Sequence, residues 1–216
     1  MSARDNILKK IRSAQGRSGA PAQAERDAVE AYLATHPQGP RPVVDGDLVA
    51  RFRAHCERLA TTTEVIARIE DAPRAAAAYL AAHQLPVNGV VWPTLSHLDW
   101  LGAGLKLEVR RSVSEDMVGI TGAFCALAET GTLMMLSGPD TPANASLVPE
   151  THIALLPVSR IVPGMEDGYN LMRSERGQPP RAVNFVSGPS RTADIEQKMV
   201  MGAHGPYRVH VILIEA

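Results

Sequence analysis

The chain has 216 residues, 45% of them hydrophobic, enough to bury one substantial core with a helical appendage but cramped for two full domains. Its 22 basic and 23 acidic residues leave a formal charge of -1, so no global basic field addresses nucleic acid, and small molecules or proteins are the expected partners. Cys56 and Cys125 stand alone outside any C-x-x-C spacing, which excludes a disulfide framework and a zinc or iron–sulfur site built from cysteine, and no window approaches the roughly 20 apolar residues of a membrane span.

The N-terminus, SARDNILKKIRSA, carries charges throughout instead of a signal-peptide core, so a cytoplasmic protein is expected. Its Ile7, Leu8 and Ile11 share one helical face, with Ser2 or Asp5 as caps, before Gly16, Gly19 and Pro21 break the pattern. Helical patterns follow over 22–36 and 47–60. Residues 1–60 read as a helical arm and linker, and 61–216 as an α/β domain. In that second part strands and helices alternate: TTTEVIARI as strand, APRAAAAYLAAHQ as helix, GVVW and LKLEV as strands. GAFCALAETGTLMML places two apolar runs around a turn. HIALLPV, the helical MEDGYNLMRSE, AVNFV, a helix over TADIEQKMVMG and the terminal YRVHVILIE complete a rhythm that predicts a mostly parallel, Rossmann-like sheet with an N-terminal helical extension.

Two strands, TLMML and AVNFV, each end in Ser-Gly-Pro, at Ser137 and Ser187. Ligands in open α/β sheets sit beyond the carboxyl ends of strands, so these ends either border one crevice or match by coincidence, Gly and Pro being the common stop signals after any strand. In AETGT, Glu129 is a candidate base or nucleophile, Thr130 and Thr132 offer hydroxyls, and Gly131 allows close approach to the backbone; an ordinary hairpin turn reads the same way. The stretch SGPSRTADIEQKMVMGAHGP offers Gly188, Ser190, Arg191 and Thr192 at a supposed strand-to-helix turn, the ingredients of an anion site. Asp194 and Glu196 fall in the first turn of that supposed helix, where they cap and orient it and repel a bare phosphate. His204, between Gly202 and Gly205, is a candidate proton-handling group. Neither a P-loop nor a dinucleotide fingerprint is present, and no metal site is expected.

ARDNILKKIR, AETGT, THIALLPVSRIVPGMEDGYN and, above all, GPSRTADIE followed by GAHGP together resemble the lactate-utilisation protein C family, the LUD-domain proteins. The resemblance implies a fold similar to the NagB/RpiA/CoA-transferase group. It also implies a subunit of a system that oxidises L-lactate to pyruvate with iron–sulfur partner proteins, the cluster being carried by those partners and not by this chain. Carried over, the motifs name Glu129 and His204 as catalytic and Thr130, Gly131, Thr132, Gly188, Ser190, Arg191, Thr192 and Gly205 as ligand-binding, for a carboxylate or nucleotide-like molecule; the cofactor stays open. A stand-alone acyl- or CoA-handling enzyme with Glu129 as nucleophile, and a non-catalytic assembly scaffold, are the alternatives.

Overall fold

The computed structural model describes residues 2–17, 19–195 and 198–215. It divides into two compact units, Met1–Pro42 and Val43–Ala216. In the first, α1 (Ala3–Ala14) starts from a capping box in which Ser2 Oγ accepts the Asp5 N–H and the Asp5 carboxylate accepts the Ser2 N–H. A second helix, α2 (Gln23–Ala34), follows, with an exposed Arg17–Glu25 pair beside its start.

The second unit opens with α3 (Leu48–Arg58), whose N-cap Asp47 accepts from the N–H groups of Val49 and Ala50. Its apolar side buries Phe52 and Cys56. The chain continues through β1 (Thr62–Ile66), α4 (Ala72–Ala82), β2 (Asn88–Val91), β3 (Lys106–Glu108) and β4 (Val118–Gly122). Next come β5 (Cys125–Leu127), β6 (Thr132–Leu136), β7 (Thr151–Pro157), β8 (Ile161–Val162) and α5 (Met165–Arg176). The last strands are β9 (Val183–Val186), β10 (Arg191–Ile195), β11 (Lys198–Met201) and β12 (Arg208–Ile214).

Six strands form one parallel sheet in the order β1-β12-β7-β4-β2-β3. The inner strands are covered on both faces, which is why β7 and β12 read as nearly continuous apolar runs. Alternation along β12 sends Val209, Val211 and Leu213 to one face and Ile212 and Ile214 to the other. The second face packs on α4 through Ala72, Ala76 and Leu80. The first packs on α3 and on a smaller sheet, β8-β5-β6-β9, whose Ala126, Leu133 and Met135 reach into the shared core. The far side of that smaller sheet buries Cys125, Leu127 and Met134 against Met172 of α5. A mixed α/β molecule with a mostly parallel central sheet is therefore what the alternating pattern predicts and what forms.

Three local expectations are corrected. Within 192–202, expected as helix, the described residues form two antiparallel strands, β10 and β11: Arg191 pairs with Met201 and Thr192 with Val200. β4 lies at the centre of the parallel sheet although its sequence, VGITG, has glycines at two of five positions and is absent from the expected strands. The two Ser-Gly-Pro ends do not border one crevice, because β6 and β9 run antiparallel, with Leu133 opposite Val186 and Leu136 opposite Val183. Ser137 and Ser187 thus leave the smaller sheet at opposite ends.

Candidate functional site

At the Ser187 end, the β5–β6 turn meets the chain leaving β9. Thr130 Oγ1 lies 2.8 Å from Thr132 Oγ1, which lies 2.6 Å from Ser187 Oγ, a continuous hydroxyl chain from one motif to the other. The C-terminal turn of α3 packs into the same junction. Gly131 takes φ +66°, and a Cβ there would stand 2.7 Å from His55 Cβ and 2.9 Å from the Cys56 nitrogen. Gly188 is likewise closed against the Leu59 carbonyl, 2.6 Å from the position of its missing Cβ. Arg191 donates to that carbonyl at 3.2 Å, and its side chain is exposed.

Glu129 is half-buried beside His55 and works to keep its imidazole charged. The opposing influences are stronger: partial burial first, then the Arg58 and Arg51 guanidinium groups, hold the His55 pKa below its ordinary value. Arg58 Nη2 stands 2.8 Å from a ring nitrogen of His55, a contact that suits the neutral imidazole as acceptor. His55, Arg51 and Arg58 are absent from the sequence-derived site because only the fold brings α3 to the turn. The buried Cys56 beside them is chemically quiet, its thiol pushed up to about 12 by burial, as Cys125 is to about 11.

The late motifs also converge. Ser190 N–H donates to the Pro206 carbonyl at 2.8 Å, the Gly202 N–H donates to the Ser190 carbonyl at 2.9 Å, and Gly205 sits against the Ser190 side chain. This places GPSR and GAHGP side by side. Strand alternation separates neighbours within the motif, since Arg191 is exposed while Thr192 is buried. His204 is exposed at the tip of its loop. Asp194 lies in β10, so no helix is present for it to cap, and Glu196 lies outside the described residues.

A separate cleft of about 580 Å³ opens at the other end of the smaller sheet. Its walls come from the carboxyl ends of the central strands, Trp92 after β2, Gly122 ending β4 with Ala123 and Phe124 after it, and Pro157 ending β7, together with Ser137, Thr141, Arg160 and the end of α5. Arg160 donates to the Phe124 carbonyl, gives two nitrogens to the Glu175 carboxylate, and lies 4.6 Å over the Phe124 ring. Only the Ser137-Gly-Pro strand end marks this cleft in the sequence; its other residues are single, ordinary side chains from four further segments.

The architecture so defined is a parallel α/β domain with a strand-end cleft and a small mixed sheet layered on one face. The LUD domain family matches residues 93–214, and the chain belongs to that family. Over 126 residues, 56% of this chain and 55% of the other, it is 37% identical to "Lactate utilization protein C" of Exiguobacterium sp.. It is 40% identical over 100 residues to the protein of the same name in Bacillus subtilis, covering 45% of this chain and 42% of that one. The matched segment spans about half the length of these curated relatives. A crystal structure of a DUF162 family protein from Deinococcus radiodurans has the same fold, with a TM-score of 0.59 and 22% identity over 80% of this chain and 99% of that one. Among the described residues no helix is long and apolar enough to cross a membrane, and no three His, Cys, Asp or Glu side chains gather as a metal site.

Proposed function

We propose that the chain works in lactate utilisation, as a subunit that serves the oxidation of L-lactate to pyruvate together with iron–sulfur partner proteins. The observation that carries this reading is the 37% to 40% identity to proteins named Lactate utilization protein C. The LUD match takes in Glu129, Thr132, Arg191 and His204 within its 93–214 span. In this reading a small carboxylate lies against the α3 junction. Arg191 spends one donor on the Leu59 carbonyl and offers the rest of its planar fork to the carboxylate. Glu129 takes the hydroxyl proton, with neutral His55 and the Thr130–Thr132–Ser187 hydroxyls beside it. Lactate becomes pyruvate by giving up two protons, one from its hydroxyl to Glu129 and one from its Cα to water, and two electrons, which iron–sulfur clusters on the partners would accept.

Deleting the gene from a host with no other lactate dehydrogenase should abolish growth on L-lactate while leaving growth on pyruvate intact. Restoring the wild-type chain should rescue growth, and restoring Arg191→Ala should rescue it poorly. Growth on L-lactate at the parental rate after deletion overturns the reading.

A further inference from the structure

The strand order reverses between β2 and β4. From β2 the chain moves outward to β3, whereas from β4 it proceeds inward to β7 and β12. The segment after β2 crosses to the α4 face, where Leu95, Leu98 and Trp100 join that core. The segment after β4 crosses to the opposite face, where Ala126 and Ala128 join the other core. Two chains leaving adjacent parallel strands toward opposite faces open a crevice between them, the position at which open α/β sheets hold ligands. The 580 Å³ cleft occupies that position.

Its chemistry selects a charge and a size. Arg160 is neutralised by Glu175 and serves as wall, and the Trp92 N–H is consumed by the Pro142 carbonyl at 3.0 Å, which fixes that nearly buried ring beneath the cleft floor. Arg176 at the rim is exposed, and among the described residues no hydrogen bond or ion pair holds its guanidinium. The cleft therefore carries one uncompensated positive charge beside an apolar wall, in the volume range of cofactor-sized ligands, about 300–1,000 Å³. Gly122 lines it without crowding: a Cβ there meets nothing nearer than the Trp92 ring at 3.8 Å.

We propose that this cleft binds a nucleotide-sized organic anion, its charged group on Arg176 and its body against Phe124, Pro157 and Pro180. The site is distinct from the α3 junction, which lies at the opposite end of β6, about 13 Å away along the strand at ~3.3 Å per residue. It does not depend on the lactate reading.

Binding is measured on the full chain by calorimetry with FMN and AMP as phosphate esters and nicotinate as a ring carboxylate, beside riboflavin, adenosine and inorganic phosphate as the separated parts. At least one intact anion should bind, and its counterpart without the charged group should bind about tenfold more weakly or worse. Arg176→Ala should weaken the binding by a similar factor, and Gly122→Val, which fills the cleft, should remove it. Arg176 is a surface side chain, so its variant keeps the test valid even if Gly122→Val fails to fold. Arg191→Ala should leave binding unchanged, which separates this site from the α3 junction. Absence of binding by all three anions overturns the proposal, as does binding unaffected by Arg176→Ala.

Discussion

Gly131 shows how much one missing methyl group decides. Its φ of +66° already disfavours a side chain, and the His55 Cβ at 2.7 Å and Cys56 nitrogen at 2.9 Å leave no room for one. Gly46 shares the positive φ, at +77°, but a Cβ there would meet nothing within 4 Å. Gly46→Ala should therefore cost only the backbone strain, about 1 kcal/mol. Gly131→Ala adds a clash with helix backbone and should cost about 3 kcal/mol or more. Urea unfolding midpoints of the two variants measure the difference, and equal losses would mean that α3 does not press on the turn. That a glycine between two hydroxyl residues makes a special turn is legible in AETGT itself. What it packs against is not, since His55 belongs to a helix far earlier in the chain.

Elements were legible where their local pattern and their burial agree. α3 is one: Asp47 stands before an apolar run, and its carboxylate does accept the Val49 and Ala50 N–H groups. Asp47→Ala should lower stability by about 1 kcal/mol, as loss of an N-cap does, and Asp47→Ser should restore most of it. A melt of both variants checks this, and an unchanged Asp47→Ala melting point would show that the core contacts of Phe52 and Cys56 hold the helix end without help. The β10–β11 pair shows the reverse case. In sequence the acids, Gln197 and Lys198 fit a helix, yet Thr192, Ile195 and Val200 are β-branched, and β10 and β11 pair with each other. A register shift between Thr192 and Ile195 further obscures the strand alternation. β4 was obscured by Gly119 and Gly122, and it becomes a strand because β2 and β7 flank it on both sides.

For the molecule as a whole, the parallel sheet sets the response to acid, because two histidines lie inside its covering layers. His152 is fully buried, with its Nε2 2.8 Å from Thr121 Oγ1 and its Nδ1 without a partner among the described residues. His210 stacks on Tyr79 at 4.0 Å, with its Nδ1 2.8 Å from Thr62 Oγ1. Burial pushes each imidazole down from 6.5 to about 4, so both are neutral in the folded chain near pH 7. Between those values the unfolded chain binds more protons than the folded one. Stability is therefore complete above about pH 6.5 and declines as the pH falls toward about 4. For His152 the shift from 6.5 to about 4 corresponds to a contribution on the order of 3 kcal/mol. His210, shifted as far by burial and then by the nearby charge of His83, should contribute a similar amount. Asp116 responds in a lower window: its hydrogen bonds from Arg110 hold its carboxyl below the usual carboxylate range, so its contribution is lost only in stronger acid. Urea unfolding at about pH 7.5 and about pH 5 should show a clear loss of stability in the wild-type chain. His152→Gln should be less stable at the higher pH yet lose less on acidification, and a slope identical to wild type would mean that His152 does not carry the acid sensitivity.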